Sequence, residues 1–300
     1  MNRELRELFD DNNIIVKKLT LINGVRIVDT GSERLVIKKR YSKNDGLFQY
    51  LRSRSFEYFP EKIYSSDNYD IYRYIEESEL ENEEKLLDII KITTLLHSKT
   101  TFYKDIDDDT YKRMYENIID RIEYLYNYYN DIVEIIEGND YMSPSNYLFV
   151  RNVSKLFAAM DYARFQVENW YSIIEEKKRI RVVNIHNNLK LEHYLLGDKP
   201  YLISWDKSKR DIPIYDLITL YKNYYNDMDF CDLFRIYEGS YPLLEEEKCL
   251  LFCLITIPDK LEFNDNEFVM CKKVKNFYDY INVADRLISD YIPRDKEPIV

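Results

Sequence analysis

Glycine and proline are scarce in this chain, whose 300 residues include only 6 Gly and 8 Pro. Because these residues supply most flexible linkers, their scarcity excludes long linkers between domains. Gly24 and Gly31 separate short β-prone runs, so we predict that each lies in a hairpin turn. A chain of this length with a hydrophobic fraction of 45% can bury one large core or the cores of two lobes.

Cysteine is also sparse, and its pattern matches no metal site. Cys249 and Cys253 lie one helical turn apart in an apolar run, while Cys231 and Cys271 stand alone. The absence of a Cys-x-x-Cys pair or a nearby histidine excludes the usual zinc sites. We therefore predict four free thiols, mostly buried, in a reducing cytoplasm.

The sequence contains no long apolar run and no excess of positive charge. The N-terminus, MNRELRELFDDN, is charged and does not resemble a signal peptide, and no stretch approaches 18 apolar residues. We therefore predict a soluble, cytoplasmic protein that does not bind membranes. The formal net charge of -11 argues against nucleic acid as a partner, because phosphate backbones require a basic surface.

Short β-prone runs dominate the first 76 residues, interrupted by one helical stretch over residues 45–56 that ends before Pro60. Such runs predict a sheet of about five strands. The predicted strands cover Ile14–Val16, Leu19–Ile22, Val25–Val28, Leu35–Ile37, Lys62–Tyr64 and Tyr69–Ile75.

After Glu76 the hydrophobic spacing becomes helical, with apolar residues every three or four positions. Residues 110–137 and 145–176 are separated by a short polar loop, which predicts two antiparallel helices. A hairpin around Gly197 is predicted between Tyr194 and Ile203. The other predicted helices cover residues 3–10, 81–97, Ile214–Tyr225, Asp229–Tyr237, Leu243–Ile257 and Glu267–Tyr291.

This order of elements predicts an α+β fold with two lobes. Residues 1–76 would form a small β-rich N-lobe, and residues 77–300 a larger helical C-lobe with the hairpin in its middle. The connector would lie near Ile75–Ser78.

One stretch of the predicted C-lobe resembles a known family. It reads IHNNLKLEHYLLGDKPYLISWDKSKRDIPIYDLITLY and begins at Ile185. It is similar in spacing to the loop His-x-Asp-x-x-x-x-Asn, the hairpin, the Ile-Asp-Trp motif and the Pro-x-x-Asp-Leu helix of the aminoglycoside phosphotransferase and choline kinase superfamily. Within that superfamily, the sequence most resembles the spore-coat-associated kinase-like proteins of low-GC bacteria. The resemblance implies a protein-kinase-like fold and an association with spores.

The resemblance also implies roles for particular residues. His186 would brace the loop, and Asn188 would stand where the family has its catalytic aspartate. His193 and Ser204 would occupy the two metal-binding positions. Lys38, in Val-Ile-Lys, would be the lysine that binds the nucleotide phosphates.

Three of these positions lack the chemistry that phosphoryl transfer needs. A carboxamide such as Asn188 cannot take a proton near neutral pH. The imidazole of His193 is a poor ligand for Mg²⁺, and the hydroxyl of Ser204 carries no charge to offset the cation. Gly24 and Gly31 are too far apart to form a phosphate-covering loop. These departures favour a pseudokinase, a kinase fold without ordinary phosphoryl transfer.

Two acids leave an alternative open. Asp206 follows Ser204 by two positions and would share its face on a strand, and Glu192 precedes His193. Either could replace the missing metal ligands in an active ATP- and Mg²⁺-dependent phosphotransferase, or both could be solvated loop acids. The helix after Lys38 offers only Gln49 and the late Glu57 as partners for the lysine.

If the chain is a pseudokinase, we expect it to need no cofactor. The protein would act through a protein partner, by holding a small molecule in the cleft between the lobes, or by assembling into a larger structure. Oligomeric state is not predicted.

Overall fold

The computed structural model describes residues 3–22, 24–40 and 46–291. The chain forms two compact units, and each consists of two separate segments. The first unit contains Met1–Thr100 and His186–Lys209, and the second contains Thr101–Ile185 and Arg210–Val300. The lobe boundary after residue 76 remains a prediction from the sequence. The compact units are divided differently, because residues 77–100 and the segment after Ile185 belong to the unit that contains the N-terminal sheet.

The first unit is built on a five-stranded antiparallel sheet with the order β1-β2-β3-β5-β4. Gly24 and Gly31 adopt positive φ angles of 78° and 87° next to the β1–β2 and β2–β3 turns, a backbone conformation that favours glycine. The elements of this part of the chain are α1 (Arg3–Asp11), β1 (Lys18–Ile22), β2 (Val25–Asp29), β3 (Arg34–Lys39), α2 (Leu47–Ser53), β4 (Lys62–Ser65) and β5 (Tyr69–Arg73).

Helix α1 covers one face of this sheet. Its Leu5 and Phe9 are buried against alternate residues of the strands, including Val28, Ile37 and Ile71. The predicted strand at Ile14–Val16 is wrong, because the chain turns back after α1 there and the amide of Ile14 donates to the carbonyl of Phe9 at 2.8 Å. Ile14 and Val16 pack against the core under α1 instead of entering the sheet, while Ile15 is exposed.

The opposite face of the sheet carries the residues between the buried ones. Val36 pairs with Tyr72 and Lys38 with Asp70, while Ile37 between them points to the α1 core. This alternation places one lysine, one tyrosine and one carboxylate on the face that α1 does not cover.

The remaining elements of the first unit are helix α3 and those of its second segment, His186–Lys209. Helix α3 (Asn82–Thr100) agrees with the predicted helix over 81–97. Strands β8 (Tyr194–Leu196) and β9 (Pro200–Leu202) pair antiparallel, which confirms the predicted hairpin. Short 3-10 turns at Leu191–His193 and Trp205–Lys207 flank that hairpin.

The second unit is mainly helical. Helix α5 contacts α4, α8 and α9, and its Leu156, Met160 and Trp170 are almost fully buried. Ser143 caps the start of α5 by accepting from the amide of Asn146. The elements are β6 (Phe102–Asp105), α4 (Asp108–Glu137), α5 (Pro144–Glu175), β7 (Arg179–Ile185), β10 (Lys209–Asp211), α6 (Ile214–Tyr224), α7 (Phe230–Ser240), α8 (Glu245–Thr256) and α9 (Glu267–Tyr291).

The predicted antiparallel pair over 110–137 and 145–176 is confirmed, because α4 and α5 pack on each other. Strands β6 and β10 were not predicted; they pair on either side of β7 in a three-stranded sheet. Each of these strands is too short for an alternation of apolar and polar residues to be recognised in the sequence. Within the described part of the chain, no helix combines the length and the apolar character needed to cross a bilayer.

Candidate functional site

The site begins at the loop that follows β7. His186 is fully buried, its Nε2 donates to the carbonyl of Ile203 at 3.0 Å, and its ring meets the indole of Trp205 edge-on at 4.6 Å. The indole Nε1 in turn donates to the carbonyl of Leu202 at 2.7 Å. These contacts hold the His186 loop against the segment after β9.

Two residues of this region have left-handed backbone conformations without being glycine. The φ angle is 57° at Asn187 and 65° at Ser204. Asn187 Nδ2 donates to the carbonyl of Lys207 at 3.1 Å. Left-handed residues other than glycine cost free energy, so the surrounding contacts must stabilise this backbone.

Asn188, His193 and Ser204 lie together and are hydrogen-bonded. Asn188 Nδ2 donates to the carbonyl of Ser204 at 3.3 Å, and His193 Nδ1 donates to the carbonyl of Asn188 at 2.7 Å. Because a carbonyl only accepts, His193 Nδ1 carries a proton. This bond ties the 3-10 turn that contains His193 to the loop at Asn188.

Lys38 reaches this group from β3, and its Nζ donates to Ser204 Oγ at 3.0 Å. Burial lowers the pKa of Lys38 below its ordinary value, and the negative charge of Asp206 opposes that shift in part. Neither predicted partner pairs with it, since Gln49 is exposed on α2 and Glu57 lies beside Lys199 at 4.0 Å.

Asp206 lies close to Lys38, but not for the reason that the sequence suggested. Ser204 precedes a 3-10 turn that contains Asp206, so the two residues do not share the face of a strand. Glu192 lies in the other 3-10 turn, where its carboxylate is 3.4 Å from Lys190 Nζ. Both acids are exposed.

These residues surround a cavity of about 870 Å³ that lies entirely within the first unit. Its polar end is lined by Lys38, Ser204, Asp206, His193 and Glu192. The apolar part of its wall is formed by side chains from β1, β2, β3 and the hairpin, namely Ile22, Val25, Ile27, Val36, Leu195 and Ile203. Asn188 does not line the cavity.

The sheet contributes further polar residues to the wall of the cavity. These residues were not predicted from the sequence. Asp70 on β5 lies opposite Lys38 on β3 and accepts from Lys62 Nζ at 3.2 Å and from Ser65 Oγ at 2.5 Å. Burial raises the pKa of Tyr72 well above its ordinary value, and the nearby Asp70 and Asp206 add to that shift. The register of β5 against Lys38 could have suggested Asp70 and Tyr72, because paired residues share a face of the sheet.

An aromatic cluster lies behind the polar end. Phe48 on α2 stacks on Phe59 with ring centroids 4.6 Å apart, and Phe56 and Phe59 both contact the edge of Trp205. The indole of Trp205 is buried. The cluster therefore ties α2 to the turn that carries Asp206.

No three His, Cys, Asp or Glu side chains among the described residues lie close enough to hold a metal ion together. His193 and Ser204, which the resemblance places at two metal positions, do not have the charged oxygen ligands that Mg²⁺ prefers. The local donor set therefore does not fit the family's metal.

Two other residues of the kinase-like pattern occupy buried positions. Asp216 lies in the first turn of α6, and His97 lies in the last turn of α3; both side chains have 0% exposure. Pro213, rather than Asp216, is the N-cap residue of α6.

Solved structures with a similar fold are aminoglycoside phosphotransferases. One from Alicyclobacillus acidocaldarius matches with a TM-score of 0.68 and 9% sequence identity, over 93% of this chain and 92% of that chain. Spectinomycin phosphotransferase APH(9)-Ia in complex with ADP and spectinomycin matches with a TM-score of 0.55 and 15% identity, over 97% and 98% of the two chains. Its AMP-bound complex also has a TM-score of 0.55, at 14% identity over 95% and 98% of the chains.

No protein-family model matches the sequence, and no curated protein matches it either. The likeness to solved structures is therefore one of fold. It confirms the predicted α+β, protein-kinase-like fold, with a β-rich N-terminal sheet and a helical C-terminal part.

Proposed function

We propose that this chain is a pseudokinase of the aminoglycoside phosphotransferase and choline kinase superfamily that binds a nucleotide-like small molecule. The ligand would occupy the 870 Å³ cavity of the first unit. Ordinary phosphoryl transfer to an acceptor would not occur, because the base and both metal ligands are replaced.

The observation that carries this proposal is the bond from the Asn188 amide to the carbonyl of Ser204. A carboxylate has no N–H and could not make it. The neighbouring bonds, from His193 to Asn188 and from Lys38 to Ser204, likewise suit the residues that are present. The loop therefore hydrogen-bonds internally through the side chains that would otherwise do chemistry.

The shape and lining of the cavity support a nucleotide-like ligand. An apolar part suits a flat ring, while Lys38 Nζ and Ser204 Oγ at the polar end can bind an anionic group. The spectinomycin phosphotransferase of similar fold is described in complexes with AMP and with ADP. We carry that ligand class to this chain as part of the proposal.

An active phosphotransferase is the second candidate, and one observation favours it. Asp206 lines the same cavity as Lys38 and acts on its pKa, so a carboxylate is present near the phosphate-binding end. Mg²⁺ is often held by only one or two carboxylates together with the substrate's phosphates. This candidate therefore depends on Asp206.

A thermal-shift titration separates the two candidates. The pseudokinase proposal expects nucleotides to raise the melting temperature equally with Mg²⁺ and with EDTA, and expects no ADP to form from ATP beyond a protein-free control. A shift that requires Mg²⁺ or Mn²⁺, disappears in Asp206→Ala and accompanies ADP formation would establish the phosphotransferase instead. If no nucleotide or nucleoside changes the melting temperature, the proposed nucleotide binding is wrong.

A protein partner, a cytoplasmic location and an association with spores remain predictions from the sequence, and only the last of them comes from the resemblance. Each can be tested in cells with a tagged chain, independently of what the cavity binds.

A further inference from the structure

Most, but not all, of the cationic side chains that line the cavity lie beside a carboxylate. Lys62 pairs with Asp70 at 3.2 Å and Lys85 with Glu77 at 2.9 Å. Arg73, which also lines the cavity, lies 3.6 Å from Glu61 and 3.7 Å from Glu33. Three of the four cationic side chains in the wall are therefore already neutralised by carboxylates.

Lys38 is the fourth cation, and it differs from the others. Its Nζ donates to a neutral hydroxyl, and within residues 3–22, 24–40 and 46–291 no carboxylate forms an ion pair with it. A largely buried ammonium that forms no ion pair is destabilised by lost hydration, and the charge of Asp206 offsets that cost only in part. An anionic group placed beside it would recover part of that cost.

The surroundings of Lys38 limit how much negative charge can be accommodated. Asp206 and Glu192 both line the polar end of the cavity. Among the described residues, neither belongs to a cluster of three or more His, Cys, Asp or Glu side chains that could hold a metal ion. A ligand with several phosphates would place its additional charges near these carboxylates with no cation to offset them. Like charges a few ångströms apart repel appreciably even when partly solvated.

We propose that the cavity selects a nucleoside monophosphate, bound without a divalent cation, over nucleoside di- and triphosphates. The single phosphate lies against Lys38 Nζ and Ser204 Oγ, and the ring occupies the apolar part lined by Ile27, Val36 and Ile203. This inference rests on the proposed function and reverses the preference that a kinase needs, because a kinase must bind the triphosphate with its metal.

Isothermal titration calorimetry in EDTA tests the selectivity. The probes are adenosine, AMP, ADP and ATP, with GMP to cover the other purine. We expect the monophosphate of the preferred base to bind most tightly. Adenosine should bind about tenfold more weakly than AMP, and each added phosphate should again weaken binding about tenfold, on the order expected for one partly solvated charge interaction.

Two variants locate the phosphate. Lys38→Met should reduce AMP affinity to that of adenosine while leaving adenosine affinity unchanged. Lys39→Met is the matched control, because Lys39 is the next residue of β3 and is exposed, and it should leave both affinities unchanged. Lys38→Gln provides a second variant if the methionine protein does not fold.

The outcomes separate this inference from the proposed function. If neither adenosine nor any nucleotide binds, the proposed function fails. If ATP binds at least as tightly as AMP in EDTA, or if Lys38→Met and Lys38→Gln leave AMP affinity unchanged, the monophosphate inference is overturned and nucleotide binding stands. If Mg²⁺ makes ATP the tightest ligand, the inference is overturned in favour of the phosphotransferase candidate.

Discussion

Lys38 combines a mostly buried ammonium group with a neutral hydrogen-bond partner, Ser204 Oγ. Burying charge in this way costs free energy that an apolar side chain of similar length would not lose. We therefore expect Lys38→Met, without ligand, to be at least as stable as the wild-type chain near pH 7. Urea denaturation measures this difference.

The same comparison should depend on pH. The folded-state pKa of Lys38 is lowered, so the folded chain releases this proton at a lower pH than the unfolded chain does. Below the folded-state pKa the full cost of burying charge is present; as the pH rises from there toward the ordinary lysine pKa, the wild-type chain gains stability. The advantage of Lys38→Met should therefore shrink as the pH rises toward the ordinary lysine pKa of about 10.4. An advantage that grows with pH, or one shared by Lys39→Met, would contradict this account.

Introducing aspartate at positions 188 and 204 should have opposite effects on stability. Asn188→Asp should lower the free energy of unfolding by about 1 kcal/mol, because it removes the donor to the Ser204 carbonyl. Ser204→Asp should raise it by a similar amount, about 1 kcal/mol, because a carboxylate would meet Lys38 and because aspartate tolerates the left-handed backbone better than serine. Urea denaturation of the two single variants measures both changes.

The benefit of Ser204→Asp depends on the lysine. In the Lys38→Met background the same change should be destabilising, since the new carboxylate would have no cation beside it. Equal effects of Ser204→Asp in the two backgrounds would show that Lys38 and position 204 do not interact.

For single residues, the sequence predicted which side chains lie together better than it predicted their backbone conformation. The kinase-like spacing singled out Asn188, His193 and Ser204, which lie together in the structure. The left-handed backbone at Ser204 and the 3-10 turn at Asp206 could not be predicted, because neither residue type requires that conformation. The contribution of Asp70 depends on strand register, which only the paired sheet defines.

Between elements, one buried ion pair connects β7 to the start of α8. Arg181 Nε donates to Glu247 Oε1 at 2.9 Å. Its Nη2 donates to Glu247 Oε2 and, at 2.8 Å, to the carbonyl of Pro242. Exposure is 8% for Arg181 and 1% for Glu247. The planar guanidinium thus satisfies a carboxylate that water does not reach.

We expect Arg181→Met to lower the free energy of unfolding by about 3–5 kcal/mol, because Glu247 would remain buried without its partner. Arg179→Met is the control two residues earlier on the same strand: its partner Asp105 lies 2.8 Å away, but both side chains are mostly exposed. That pair should contribute less than about 1 kcal/mol. Adding Glu247→Leu to Arg181→Met should recover part of the loss; equal losses at positions 179 and 181 would refute the argument.

Long amphipathic helices were the elements that sequence predicted best. The repeating apolar positions of α4 and α5 extend over many turns, so their existence and pairing followed from periodicity alone. The predicted strand at Ile14–Val16 failed because an apolar β-prone run can also fill a core beneath a helix. Strands β6 and β10 form only by pairing with β7, a contact distant in sequence.

For the whole molecule, the dominant electrostatic property is its formal net charge of -11, with an isoelectric point near 5.0. Self-repulsion of this size destabilises the compact state and is weakened by salt. The surface pairs act in the opposite direction, but exposed pairs contribute little each. Repulsion should therefore dominate the salt dependence of stability.

We expect sodium chloride to raise the melting temperature by roughly 2–4 °C between about 10 mM and 150 mM, corresponding to about 1 kcal/mol. The acidic run around α3 offers a control, because Glu79 and Glu81 are exposed. Changing both to lysine moves the formal net charge from -11 to -7 and should flatten the salt dependence while leaving the fold intact. A melting temperature that falls with salt would mean that attractive ion pairs outweigh the net charge. A response unchanged in the double variant would mean that salt acts on local pairs rather than on the field of the whole chain.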